Sequence, residues 1–363
     1  MVIKYPDIYE ETAVFQMKTR WISGQGLLAT IDEPHRQQRK ILNTSFSPGQ
    51  LKEIFPIMYN YSHSLEGIGQ CTLGYSFEPL IEDLYNPCGE AFNGVEATIF
   101  LMHVLRVLLP YIVNIGSAHL RRHILEWIPY PRLQRVREIV DTLDKTAKEI
   151  LQAKRAVLTH GDEAMNKMAD HGKDTMSLLL KSDVTADAED RISDVELLGH
   201  MSTLIFAGMN TVSHTTSRIL HQLSRYQEIQ NKLRDELLNM QARSIQDGND
   251  LTYDDLLCLP YLDALCKETL FPAVSFIGRR TQESTTMRLT SNTYLGLWGN
   301  DAHEWRPERW FDTNIVKGSG GTKTPGEAAG PAGYRFAEME MKAILYTLLP
   351  SFGFDLPSDK EIC

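Results

Sequence analysis

Between Leu197 and Leu220 the residues Leu197, Met201, Leu204, Ile205, Gly208, Val212, Thr215 and Ile219 recur at steps of three and four. Such a stripe lies on one face of a helix, so the chain must build a long, buried helix here. Ser193-Asp194-Val195-Glu196 supplies a capped start, with a serine and a glutamate three residues apart. At the centre, in Phe206-Ala207-Gly208-Met209-Asn210-Thr211, two tiny residues give up side-chain packing and helix propensity just before an amide and a hydroxyl. This suits a flat ligand pressed against the backbone. The alternative is a close helix crossing at Gly208, with Thr211 bonding back to a carbonyl one turn earlier and bending the helix.

The 363 residues, 42% hydrophobic and 23% charged, are enough to bury a sizeable core. A net charge of -10 argues against a nucleic-acid binder, because such affinity comes mostly from neutralising phosphates. The five cysteines, Cys71, Cys88, Cys258, Cys266 and Cys363, are scattered and form no C-x-x-C pair, so neither a disulfide framework nor a zinc site is indicated. The first residues contain no apolar core of signal-peptide length, and the expected location is the cytoplasmic side. The most apolar run, Ile99 to Val113, is interrupted by His103, Arg106 and Pro110. It is too short to span a bilayer and reads as a buried helix or, alternatively, a membrane-surface contact.

Helical patterns dominate. They cover Arg36 to Leu42, Leu51 to Ser64, Glu96 to Val113, Leu133 to Leu158, Ser193 to Leu223, Gln227 to Ala242, Tyr253 to Leu270 and Phe336 to Leu349. Only Val274 to Arg280 and Thr285 to Leu289 read as strands, so the fold class is mainly α with a small β region. Residues 313–333 form a Gly-rich loop. It is not a phosphate cradle, since its lysine follows Thr322 rather than a glycine and no apolar strand leads into it.

Three further clusters carry chemical possibilities. His119 and His123 stand one turn apart, but Arg121 and Arg122 between them repel a metal and mark a basic surface helix. His35 and Arg39 project from one face of a short helix and suit a carboxylate ligand, or form a solvated face. Glu268 ends a helix that should break at Pro272, and if buried it needs a partner. Arg279 and Arg280 are within reach in sequence, to pair with it or to face an anionic ligand.

Together these segments resemble the cytochrome P450 family of haem-thiolate monooxygenases, most closely its fungal membrane-associated members. Phe206 to Val212 resembles the oxygen-binding groove of the central helix, and Tyr261 to Leu270 resembles the helix bearing a Glu-x-x-Arg motif. Trp305-Arg306-Pro307-Glu308-Arg309-Trp310 resembles the Pro-Glu-Arg-Phe meander, and Gly333-Tyr334-Arg335-Phe336-Ala337 resembles the tail of the haem-ligand loop. The resemblance implies a single P450-type domain over 1–363, a haem cofactor, a small lipophilic substrate and an electron-donating reductase. It also implies that His35, Arg39 and Arg279 hold haem propionates, that Ala207 and Gly208 admit the porphyrin and dioxygen, and that Thr211, with Asn210 before it, delivers protons.

Several positions depart from the family pattern. The ligand cysteine's place holds Pro331, which has no sulfur, and Thr324 to Gly330 replaces most of the loop before it, so no metal ligand is expected. Phe271 stands where the Glu-x-x-Arg arginine belongs, leaving a buried ion pair half missing. Asn210 replaces the usual acid. The segment from Thr290 to Trp298 is short for the family's strands, and the region before Leu65 is short of a helix. Each loss is a compact block between well-matched flanks, as in mis-joined exons or a decaying gene, with a real, shortened pseudoenzyme as the alternative. For the chain as written the expectation is no thiolate-ligated haem and little or no monooxygenase activity. A non-catalytic helical scaffold that binds an apolar ligand or a partner protein is the alternative.

Overall fold

A computed structural model describes residues 9–11, 16–17, 19–20, 24–60, 67, 69–76, 116, 118–159, 174–185, 192–273, 275–280, 286–290, 304–311 and 333–356. The helices, in chain order, are α1 (Asp32–Ser45), α2 (Pro48–Asn60), α3 (Ala118–Trp127), α4 (Pro131–Thr159), α5 (Thr175–Thr185), α6 (Asp194–Arg225), α7 (Gln227–Asp247), α8 (Tyr253–Leu257), α9 (Pro260–Ala273) and α10 (Tyr334–Leu348). Strands β1 (Tyr9–Glu11), β2 (Ser275–Arg280) and β3 (Thr286–Thr290) form one sheet in that order, with β2 and β3 antiparallel and Ser275 opposite Thr290. The sheet is small and the helices carry the fold, as the patterning requires.

Where the elements differ from the sequence reading, the causes are local. The helix expected over Tyr253 to Leu270 is two helices, because Pro260 has no amide to continue α8 but suits the first turn of a new helix. Thr252 caps α8 reciprocally with Asp255. Helix α9 runs to Ala273, one residue past Pro272. Helix α5 carries no strong amphipathic signal and escaped the sequence reading; Asp174, 1% exposed, starts it by accepting from the Ser177 amide at 2.9 Å. The run Ile99 to Val113 and the loop up to Ala332 lie outside the described residues.

The chain divides into two compact units, one of Glu11–Ser45 with Leu65–Asn210, the other of Met1–Glu10, Phe46–Ser64 and Thr211–Cys363. In the first, Leu73, Ile139, Leu143, Met176, Leu179, Leu197, Met201 and Ile205 share one core. The Ser193 cap forms as read: its hydroxyl accepts from the Glu196 amide at 3.3 Å, while its amide donates to the Glu196 carboxylate at 3.0 Å. Gly26 meets Gly199 of α6 backbone to backbone; a Cβ on Gly199 would lie 2.4 Å from the Gly26 nitrogen. Only glycine allows that approach.

In the second unit α10 packs on α2, α8 and α9. Lys342 is wholly buried and is bracketed by Asp263 of α9 at 2.8 Å and Glu338 at 2.9 Å. Burial pulls its ammonium down, but Glu338 and Asp263 outweigh this and hold it above its ordinary value. One turn beyond Phe336, which meets Phe46 edge-on at 5.9 Å, Glu340 is completely buried, and neither carboxyl oxygen has a partner among the described residues. Burial raises its pKa well above the usual carboxylate value, so it is held as the neutral acid.

That orphan acid sets the first testable outcome. Replacing Glu340 by Met removes an unsatisfied polar group worth about 1–3 kcal/mol, so Glu340→Met should be more stable than the parent. A carboxyl whose folded-state pKa is raised favours folding at low pH, and stability falls as pH rises above the unfolded value of about 4.3. The advantage of Glu340→Met in urea unfolding should therefore widen between acid and neutral pH; a constant difference would contradict this assignment.

Candidate functional site

In the first unit α1 begins at Asp32, whose positive φ of 55° turns the chain into the helix, and Asp32 and Glu33 place negative charge in its first turn. His35 and Arg39 are each half-buried and four residues apart, hence on one face. The His35 Nδ1 lies 3.1 Å from the Leu27 carbonyl, so Nδ1 carries the proton. Nε2 is left for a ligand, and it can donate to a carboxylate when the ring is charged. Between them Gln38 is buried and donates to the Gln25 carbonyl and to Glu196 at 3.3 Å each, fixing this face of α1.

On α6, Ala207 is exposed and Gly208 half-buried. Both belong to the first unit, while Thr211, also exposed, begins the second unit's share of the same helix. Ala207 and Thr211 stand one turn apart on one face. Asn210 lies in the helix between them. The hydroxyl of Thr215 bonds back to the Thr211 carbonyl at 2.8 Å. Leu197, Met201, Ile205, Val212 and Ile219 are all buried, as their spacing requires. Arg279 belongs to the second unit, on β2, with its backbone opposite Thr286.

Glu268 is 5% exposed and pairs with Arg309 of the turn Pro307–Phe311, whose Nε lies 3.1 Å from the carboxylate with both side chains almost wholly buried; the side chains of Arg279 and Arg280 lie outside the described residues. The Arg306 amide and the Trp310 indole donate to the same carboxylate at 2.9 Å each. Burial pushes the Glu268 carboxyl above its usual value, and the Arg306 amide, Arg309 and Trp310 offset part of that. The ion pair is therefore closed from the meander, although Phe271 occupies the motif arginine's place.

The sequence profile named Cytochrome P450 matches residues 113–288. Cytochrome P450 monooxygenase 91 of Postia placenta is 35% identical over 428 aligned positions, covering 100% of this chain and 78% of its own. The chain belongs to the cytochrome P450 family. Ganoderic acid synthetase CYP5150L8 of Ganoderma lucidum is 34% identical, covering 98% of this chain and 77% of its own. A solved cytochrome P450 shares the fold with a TM-score of 0.73 at 18% identity, over 99% of this chain and 85% of that one. The mainly helical P450 fold expected from the sequence is the fold this chain has.

Haem is the cofactor of cytochrome P450 proteins, and the described cysteines of this one do not fit its thiolate. Cys266 is wholly buried on α9, and burial pushes its thiol up to about 12, so it stays protonated. Cys258 is exposed at the end of the short α8, and Cys71 is buried in the first unit. Pro331, in the ligand cysteine's place, lies outside the described residues. No group of three His, Cys, Asp or Glu side chains that could hold a metal occurs among the described residues. Helix α3 is basic as read, with Arg122 bound to Asp141 at 2.7 Å and His123 beside Glu126. Among the described residues no helix is long and apolar enough to cross a membrane.

Sequence reasoning missed Arg309. The spacing from Glu268 carries no local signal, since only the chain's return after the sheet brings the two together. Replacing either partner strands the other charge, so Glu268→Ala and Arg309→Ala should each lose about 3–5 kcal/mol in denaturant unfolding. The double variant should lose markedly less than the sum. Additive losses would mean that the pair is not coupled.

Proposed function

We propose that this protein descends from haem-dependent monooxygenases that oxidise small lipophilic substrates with electrons from a reductase, and that the chain as it stands does not catalyse that reaction. The observation that carries the reading is Pro331 in the position of the family's ligand cysteine. Proline has no sulfur to donate, and the family chemistry depends on a thiolate pushing electron density through iron to split the oxygen bond. The burial of Cys266 on α9 supports the reading, because a thiol held protonated and packed against α10 is not available as a substitute.

The groups assigned to grip the porphyrin remain: His35 and Arg39 on α1, Arg279 on β2 and the small residues Ala207 and Gly208. Their charge-assisted bonds to propionates would orient the cofactor without activating it. Asn210 and Thr211 keep a hydroxyl at the proton-delivery position, with an amide in place of the usual acid. A non-catalytic scaffold that binds an apolar ligand or a partner protein is the second reading, and the closed Glu268–Arg309 pair favours it, since that part of the framework is kept without a thiolate.

The 428 aligned positions shared with the Postia relative exceed the 363 residues here, which supports whole segments missing from inside a single P450-type domain. Transcript sequencing should then reveal in-frame segments at Leu65, Phe271, Thr290 and Gly330; a transcript that encodes this chain unchanged would refute mis-joining. The catalytic reading is tested by purifying the protein, supplying haem and recording the reduced carbon monoxide difference spectrum. The expected spectrum has no thiolate band. A thiolate band would overturn the proposal.

A further inference from the structure

The N-terminal half of α6 holds a second feature, separate from the haem-binding groups on that helix. His200 is wholly buried, and neither ring nitrogen has a partner among the described residues. Its neighbour Gly199 is the point where Gly26 crosses α6 backbone to backbone, and one turn on, Thr203 faces the same glycine with its buried hydroxyl also unpartnered. The crossing segment, Gly24 to Thr30, contains no charged residue. It is fastened by a few hydrogen bonds: Thr19 to the Leu28 carbonyl at 2.9 Å, His35 to the Leu27 carbonyl at 3.1 Å, and Gln38 to the Gln25 carbonyl at 3.3 Å.

We propose that Gly24–Thr30 is an acid-released latch, in which a proton on His200 creates a charge beside the Gly26–Gly199 crossing that no buried group among the described residues accepts, so the segment lifts away from α6. An unpaired buried charge is among the costliest things a fold can hold, and separating the two backbones admits the water that solvates it. The charged group acting on His200 is Glu196, one turn earlier on α6, and its carboxylate is already committed to the Ser193 hydroxyl and amide and to Gln38. Burial pushes Glu196 up, but those donors outweigh it and keep the carboxylate ionised to below its usual value. The core beside this part of α6 is supplied by α4 and α5 through Ile139, Leu143, Met176 and Leu179, all apolar. On α4, Lys154 pairs with Asp174 and Arg155 with Asp194, while the buried Nε of Arg137 has no partner among the described residues and adds no acceptor for a charge on His200. The Nδ1–H of His35 holds the Leu27 carbonyl whether that ring is charged or not.

Burial is the largest effect on His200 and lowers its pKa from 6.5 to about 4, Glu196 opposing it. For a base depressed in the folded state, stability is whole above the unfolded value and is lost as pH falls from about 6.5 towards about 4. Hydrogen exchange of the full chain, followed by mass spectrometry and corrected for intrinsic rates, reads the latch directly. Between about pH 7.5 and about pH 5, opening of Gly24–Thr30 should rise roughly 30-fold, while α7 should show no matching change. In His200→Leu the acceleration should vanish. Its persistence in that variant, or its absence in the parent, overturns the proposal. Should His200→Leu fail to fold, the ring of His200 in the parent chain, labelled with carbon-13, decides the matter: titration near the ordinary value would sink the latch, and titration far below it would support it.

Discussion

A carboxylate removed from water must be given donors or a proton, and in the second unit that demand is met at Glu268. Three groups from one short stretch converge on it: the Arg306 amide, the Arg309 guanidinium and the Trp310 indole. Trp305 adds a bond to Thr269 on the next position of α9 at 3.1 Å. The turn is thereby docked on α9 by these directed contacts and by the Tyr261 hydroxyl, which donates to Glu308 at 2.8 Å, and α9 in turn holds α10 through Asp263 and Lys342. Exposed pairs such as Lys52 with Asp254 add little beside these, because water screens them.

The same framework carries an acid with no partner among the described residues. Glu340 and Lys342 are two positions apart on α10 and both are wholly buried, yet Lys342 stays charged between two carboxylates while Glu340 is driven neutral. Helical geometry explains the contrast, since residues two apart point to nearly opposite sides. Lys342 faces the acids of α9 and of its own previous turn. Glu340 shares its side with Phe336, where the environment is aromatic and apolar. Burial alone does not decide charge; the donors within reach do.

At the position of the family's ligand cysteine this chain has Pro331, while the helical fold of the family is present. Packing is redundant in such a fold, because each helix buries its own stripe against its neighbours. A thiolate ligand has no comparable redundancy, since one atom supplies the chemistry.

The long helix, its capped start, the β-hairpin strands and the sparse sheet were all legible in the sequence, because period and capping chemistry are local properties of the chain. The residues matching the family's motifs were legible for the same reason, each being a short word in fixed spacing. Helix α5 was not, since its residues are apolar on several sides and carry no clear period. Only the folded chain shows that Arg309 completes Glu268, that Cys266 is buried on α9, and that His200 and Glu340 are buried with no partner among the described residues. Those facts depend on which distant segments meet, and the free energy of a buried polar group is set by neighbours that sequence order does not name.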